Sequence, residues 1–176
     1  MIRTENRTEN PPVLRAACIQ DSAQIAAILN AEILEGTASW TETPKSISEI
    51  ESWYDERLAA GYAVLVIADR QRVCAYGSYG AFRKGEGYRE TVEHSVYVAA
   101  NQRRRGHGRR LLEGLIDHAA AAGFRRMIGG VSADQEASLA LHRTLGFREA
   151  GRLPGVGVKH GLRLDLVLML RVLGAD

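Results

Sequence analysis

The residues best suited to chemistry lie between Thr91 and Gly123. A strand-like segment ending at Val98 carries Glu93 among valines, where burial would raise the pKa of the carboxyl and make it a better base. The next stretch, Arg103 to Gly108, is a glycine-containing, positively charged turn that leads into a helical pattern. Because the first N–H groups of a helix and its dipole attract anions, this turn predicts a phosphate or pyrophosphate site.

The turn differs from two common phosphate-binding motifs. Arg109 follows Gly108, where a P-loop requires lysine and then serine or threonine. Leu111 stands where the dinucleotide-binding fingerprint has its third glycine. An ordinary strand-to-helix turn with solvated arginines is the alternative interpretation.

Composition restricts the class of protein. The chain has 176 residues, enough for one domain, and a net charge of +2 that argues against a dedicated nucleic-acid binder. Its two cysteines, Cys18 and Cys74, form no disulfide framework or metal-binding spacing. No apolar run is long enough to span a membrane, and no signal peptide is visible. We expect a cytoplasmic protein without a metal.

The remaining chain must supply the elements that position these residues. Residues 1–12 are polar and predict a flexible tail, and residues 13–173 form the domain. Their order predicts the α/β class, of the α+β type: a mixed, mostly antiparallel sheet flanked by helices on both faces. The patterns predict strands at Val13–Ile19, Ala63–Ala68, Arg72–Phe82, Glu90–Val98, Arg126–Ser132, Phe147–Gly151 and Leu162–Val172, and helices from Asp21 or Ser22 to Gly36, from Ser46 or Ser48 to Gly61, after Gly108, and at Glu136–Leu145.

The turn also carries a family resemblance. Arg103-x-x-Gly106-x-Gly108 after a V-x-V strand resembles the acetyl-CoA pyrophosphate loop of the GCN5-related N-acetyltransferases (GNAT). The later segment Ala137 to Phe147 resembles the same family. Gly61 to Val66, Gly87 to Val98 and Val156-Gly157-x-Lys159-x-Gly161 are similar to phosphinothricin and methionine sulfoximine N-acetyltransferases. The resemblance implies a GNAT fold and direct transfer of acetyl from acetyl-CoA to the α-amino group of a small amino acid analogue.

The resemblance also implies roles for individual residues. Glu93 would be the catalytic base, and His142 stands where many family members carry a tyrosine general acid. The acetyl-CoA site would include Tyr97, Val98, Arg103, Arg104, Arg105, Gly106, His107, Gly108, Arg109, Gln135 and Ser138. The substrate would contact Trp40, Arg83, Tyr88, Arg89 and Glu93. A structural histidine, a tryptophan in the core and arginines facing solvent are the corresponding alternatives.

Of two departures from the family pattern, the first concerns the pantetheine arm of the cofactor and the second leaves the acceptor open. Gln135 replaces an asparagine common in relatives, and Leu162 to Asp165 lacks an aromatic residue that relatives carry. A protein N-terminus or a polyamine is therefore an alternative acceptor, and a CoA-binding or nucleic-acid-binding module without catalysis is a further reading. The expected partners are a small amino acid analogue and, as in relatives, a second copy of the chain, with no nucleic acid and no membrane.

Overall fold

The computed structural model describes residues 11–174, so the predicted tail lies almost entirely outside the described residues. Within them one sheet is formed, with the strands in the order β1-β2-β3-β4-β5-β7-β6. The strands are β1 (Val13–Ala16), β2 (Val64–Asp69), β3 (Arg72–Ala81), β4 (Thr91–Val98), β5 (Arg126–Ser132), β6 (Arg148–Lys159) and β7 (Leu162–Val172). The helices are α1 (Ser22–Glu35), α2 (Ile47–Ala59), α3 (His107–Ala121) and α4 (Glu136–Thr144).

The sheet is mixed, and helices cover both of its faces. Every pair of neighbouring strands is antiparallel except β4 and β5. Val66 and Tyr76 pack beneath α1 and α2, whereas Ile67 and Ala75 pack against Leu111 of α3. This division follows from the alternation of side chains along a strand. The predicted fold class is confirmed.

The predicted starts of α1, α2 and α4 are correct, whereas α3 begins at His107, slightly before the predicted start after Gly108, and only α2 has the predicted side-chain cap. Ser46 accepts a hydrogen bond from the Glu49 N–H at 3.2 Å, and the Glu49 carboxylate accepts one from the Ser46 N–H at 2.9 Å. At α1 neither Asp21 nor Ser22 caps with its side chain, because the Asp21 carboxylate binds Arg15 at 2.7 Å instead. That carboxylate also accepts from the backbone N–H of Cys18, so a 3₁₀ turn replaces the predicted end of the first strand.

The sequence prediction for β6 is too short. The predicted strand ends at Gly151, but β6 continues to Lys159 through an irregularity between Leu153 and Gly157. Pro154 and Gly155 suggest a turn, and in the structure a break in the β6–β7 register accommodates them. The Asp165 carboxylate fixes this irregularity by accepting from the Gly155 N–H at 2.8 Å.

The sheet opens between β4 and β5. These two strands pair from Thr91 with Arg126 to His94 with Gly129. Beyond that point Ser95 to Val98 pair with β3, while the end of β5 pairs with β7. A gap therefore separates the second halves of β4 and β5. The first turn of α3 lies beside it, because a Cβ built on Gly108 would be 3.7 Å from Val98.

Candidate active site

Glu93 lies at the mouth of the gap. It is half-buried on β4, opposite Gly80 of β3 and Ile128 of β5. Its Oε1 is 3.2 Å from the place where a Cβ on Gly130 would stand, so the carboxylate reaches toward the first residue of β5 beyond the pairing. Burial raises the pKa of this carboxyl, and the positive charge of Arg83 partly opposes that rise. A carboxylate in this environment can act as a general base.

A cavity of about 560 Å³ lies beneath α1 and α2, and we call it the α1–α2 cavity. Ser95 and Tyr97 line it from β4, and the alternation along the strand places Glu93 on the same face. Tyr76 stacks on Tyr97 with ring centroids 5.3 Å apart and meets Trp53 edge-on at 6.3 Å. The cavity thus combines an aromatic floor with polar walls, as small-molecule sites do.

A second recess of about 540 Å³, the α1–α4 groove, brings together three of the predicted cofactor residues, Val98, Arg103 and Gln135. Arg103 Nε donates to the Val98 carbonyl oxygen at 3.4 Å, and its Nη2 contacts Glu32 at 3.1 Å. Gln135 Nε2 donates to Thr37 Oγ1 at 2.7 Å. The groove therefore holds both a cation and an amide beside the end of β4.

The turn before α3 has the geometry of an anion site. Arg104 and Gly106 take left-handed conformations, with φ of 61° and 79°. Among residues 11–174 no side chain caps α3, so its first N–H groups have no intrahelical or side-chain partner there. Arg104 and Arg105 are exposed beside them, and Arg109 pairs with Glu113 at 2.8 Å. This set of donors fits a pyrophosphate, as the sequence predicts.

His107 begins α3 and is buried, with its exposed fraction at 4%. Neither of its ring nitrogens has a hydrogen-bond partner within residues 11–174. Burial lowers its pKa, and the charges of Arg110 and Arg105 lower it further. The helix thus begins with a histidine whose protonation is opposed by its surroundings.

His142 is buried on the opposite face of β4 from Glu93. Its Nδ1 lies 2.7 Å from the Ser138 carbonyl oxygen, which can only accept, so Nδ1 carries the proton. Its Nε2 then accepts from His94 Nε2 at 3.1 Å, and the two rings stack with centroids 5.1 Å apart. Burial, reinforced by His142, lowers the pKa of His94 to about 3. Gly129 leaves the space that both rings fill, because a Cβ there would be 2.7 Å from His142 Nε2.

The predicted substrate residues do not all converge. Arg83 is near enough to Glu93 for its charge to lower the pKa of that carboxyl. Arg89 instead donates to the Glu86 carbonyl oxygen at 3.2 Å within its own turn. Tyr88 is exposed and packs edge-on against Phe82. The Trp40 ring lies against Gly157 of β6 and is not among the residues lining the α1–α2 cavity.

Arg57 was not among the predicted site residues. Its side chain lies across the face of the sheet next to Glu93. Arg57 Nη1 lies 1.4 Å from the place where a Cβ on Gly80 would stand, and Gly80 is the β3 partner of Glu93. The guanidinium also lies over the rings of Trp53 and Tyr62, 5.9 and 5.8 Å from their centroids. Gly80, near the end of β3, was the sequence signal for this close approach.

Within residues 11–174 no group of three or more His, Cys, Asp or Glu side chains could hold a metal ion. None of the helices in this part of the chain has the length and apolar character needed to cross a bilayer.

Known proteins resemble this chain both in sequence and in fold. The acetyltransferase (GNAT) family model matches residues 25–147. The chain is 43% identical over 157 residues to the L-methionine sulfoximine/L-methionine sulfone acetyltransferase of Pseudomonas aeruginosa, which covers 89% of this chain and 91% of that protein. The structure of yncA from Salmonella typhimurium with its cofactor acetyl-CoA has a TM-score of 0.93 and 38% identity, covering 95% of this chain and 96% of that one. A phosphinothricin acetyltransferase from Sinorhizobium meliloti in complex with acetyl-CoA has a TM-score of 0.90 and 36% identity, covering 94% and 90%. The chain therefore belongs to the GNAT family and is an N-acetyltransferase.

Proposed function

We propose that the protein acetylates the α-amino group of a small amino acid analogue of the methionine sulfoximine, methionine sulfone or phosphinothricin type. The observation that carries the proposal is the position of Glu93, on the same strand face as the α1–α2 cavity and at the mouth of the gap between β4 and β5. The names of the relatives support this class of acceptor. The cavity, at about 560 Å³, suits a small molecule.

Acetyl-CoA is the proposed donor. Its acetyl group is bound to sulfur as a thioester, and the sulfur leaves readily as a thiolate. The arginines and free N–H groups of the turn before α3 would hold its pyrophosphate. Val98 and Gln135 of the α1–α4 groove would hold the amide-containing arm of acetyl-CoA. Within residues 11–174, the edge of β4 from Ser95 to Val98 that faces the gap has no strand partner. Amide groups of a ligand can hydrogen-bond to such an edge.

Glu93 is the proposed general base. An α-ammonium group is mostly protonated at pH 7 and must lose a proton before it can attack a thioester. The raised pKa of Glu93 suits it to accept that proton directly or through one water molecule. Arg83, whose charge acts on Glu93, would bind the carboxylate of the acceptor with its planar guanidinium.

The predicted acid role of His142 stays a prediction. Both of its ring nitrogens are engaged, with the Ser138 carbonyl oxygen and with His94. His142 could protonate the leaving thiolate only if its Nε2 exchanged His94 for the sulfur and gained a proton.

We also propose that the protein forms a homodimer through the outer edge of β6. In the part of the chain that the structure describes, this strand ends the sheet and pairs with β7 alone. Val156 and Val158 project from it with exposed fractions of 55% and 57%, and Leu162 at the start of β7 is 59% exposed. An apolar sheet edge of this kind is suited to pairing with a second copy.

The experiment that tests the reaction combines a substrate panel with Glu93→Gln. We would follow acetyl-CoA-dependent thiol release with methionine sulfoximine, methionine sulfone, phosphinothricin, ordinary amino acids, a polyamine and a peptide. Glu93→Gln should lower kcat by about 10²–10⁴-fold, the usual contribution of a general base, and leave the acetyl-CoA KM unchanged.

The matched control is Glu90→Gln, which removes an exposed carboxyl three residues earlier. It should retain the wild-type kcat. Turnover of the polyamine or the peptide alone would overturn the proposed acceptor, and full activity of Glu93→Gln would overturn the base.

A further inference from the structure

The motif Val156-Gly157-x-Lys159-x-Gly161 has no part in the reaction described so far. Lys159, the last residue of β6, is fully buried, with an exposed fraction of 0%. Its Nζ donates to the carbonyl oxygen of Ser39 at 2.6 Å and to that of Thr41 at 2.5 Å. Lysine is among the residues that are least often fully buried, and it is buried only where partners satisfy its donors. Here the partners are backbone groups of the loop between α1 and α2.

Gly157 contacts Trp40, the residue between Ser39 and Thr41. It lies two positions before Lys159 and so faces the same side of β6. A Cβ on Gly157 would be 2.3 Å from the ring of Trp40, so the ring occupies the space that a side chain would need. β6 therefore holds three consecutive loop residues, with Lys159 binding the backbone on either side of the Trp40 ring.

The loop held in this way forms part of the α1–α2 cavity. Residues 36–46 lie between the two helices and contain no regular structure, so their backbone depends on contacts with other elements. Thr37 accepts from Gln135 at the start of the loop, and the Lys45 N–H donates to Asn30 at 2.7 Å at its end. Between these attachments, Ser39 and Thr41 line the cavity.

We propose that Lys159 and Gly157 are positioning residues that fix the Ser39–Thr41 wall of the acceptor site. Trp40 is the anchor of that wall on β6. The inference rests on the proposed function only in assigning the α1–α2 cavity to the acceptor. It predicts that loosening the contact with β6 weakens acceptor binding and leaves the donor site unchanged.

Two variants test the wall from different directions. Lys159→Met removes both hydrogen bonds with a side chain of similar length, and Gly157→Ala displaces the Trp40 ring without touching Lys159. Each should raise the acceptor KM about tenfold, corresponding to about 1.4 kcal/mol of lost binding, while kcat and the acetyl-CoA KM keep their wild-type values. In a Trp40→Ala background, Lys159→Met should raise the acceptor KM by less than it does alone, because the anchor is already lost.

A second readout does not depend on any substrate. The chain has two tryptophans, so a Trp53→Phe background leaves Trp40 as the only one. In that background both variants should make Trp40 emission shift to longer wavelength and become more accessible to acrylamide. The stability control is Ile67→Ala, which removes a fully buried side chain beneath α3, on the other face of the sheet. It should lower Tm without changing Trp40 emission or the acceptor KM.

The possible outcomes distinguish the proposed role of the Ser39–Thr41 wall from the proposed acetyl-transfer reaction. Unchanged Trp40 emission in both variants would overturn the contact with β6, whichever amine the enzyme acetylates. Altered emission with an unchanged acceptor KM would overturn the role in acceptor binding but leave acetyl transfer intact. If the wild-type protein acetylates no amino acid, the proposed function fails, and the assignment of this wall to the acceptor fails with it.

Discussion

Two opposing effects set the pKa of Glu93, the proposed base. Burial raises the pKa of Glu93, whereas the charge of Arg83 lowers it. If the pKa of this carboxyl were raised too far, the group would stay protonated at neutral pH and could not accept a proton from the amine. Arg83 therefore has two proposed effects: it keeps the base ionised and it attracts the carboxylate of the acceptor.

The pH profile tests this pair. Glu93 must be ionised to act as a base, so kcat/KM should rise with pH through the pKa of its carboxyl. Arg83→Gln removes a charge that lowers this pKa, so the acidic limb of the profile should move to higher pH. Arg89→Gln is the matched control, because Arg89 donates to the Glu86 carbonyl oxygen and does not contribute to the shift at Glu93. A limb that stays in place or moves to lower pH in Arg83→Gln would contradict the pairing.

At the scale of single residues, the sequence identifies site residues whose role is indicated by their neighbours in the chain. Glu93 among valines and the arginines around Gly106 can be recognised from a few neighbouring positions. Lys159 cannot, because its partners Ser39 and Thr41 are 120 and 118 positions away in the chain. His142 is recognisable as a histidine on a helix, but its pairing with His94 depends on how α4 docks on β4.

Among the elements, the start of α3 contributes most to the proposed donor site. Its uncapped N–H groups are part of the helix, and the arginines around it add side-chain charge. Arg103 links this turn to the α1–α4 groove through Val98 and is paired with Glu32. Its guanidinium is thereby held at the groove, where a phosphate group would compete with the Glu32 carboxylate.

Arg103→Gln should therefore weaken the donor site selectively. Losing one charge-assisted contact should raise the acetyl-CoA KM roughly tenfold, and the increase should shrink at high salt. The acceptor KM should not change. Initial rates at 50 and 500 mM salt would measure both effects, with the exposed Arg163→Gln on β7 as the control. An equal loss in the control would mean that the effect comes from net charge rather than from this site.

The element boundaries show where sequence patterns are sufficient. The predicted bounds of β5 and β7 are those observed, because both are mainly apolar segments flanked by polar or glycine-containing stretches. β6 was predicted too short because Pro154 and Gly155 are typical turn residues, and only pairing with β7 allows the strand to continue past them. The side-chain cap predicted for α1 was wrong because Arg15 attracts the Asp21 carboxylate.

For the whole molecule, the outer edge of β6 is the proposed dimer surface. If two copies pair there, a charge placed on its apolar residues should separate them. Val158→Glu should convert the proposed dimer to a monomer in sedimentation velocity experiments, because burying an unpaired carboxylate in an interface costs several kcal/mol. Leu34→Glu, on an exposed position of α1, should leave the dimer intact. A wild-type protein that sediments as a monomer would contradict the proposal.

The order of the strands in the sheet also constrains how the protein can assemble during synthesis. β1 to β4 are neighbours in the same order in the sheet as along the chain, and each pairs antiparallel, so this half can form as it leaves the ribosome. The second half cannot follow that order, because β7 lies between β5 and β6. The α1–α4 groove requires Gln135, which follows β5, and the Ser39–Thr41 wall requires Lys159. A nascent chain therefore carries Glu93, the proposed base, long before either proposed binding site is complete.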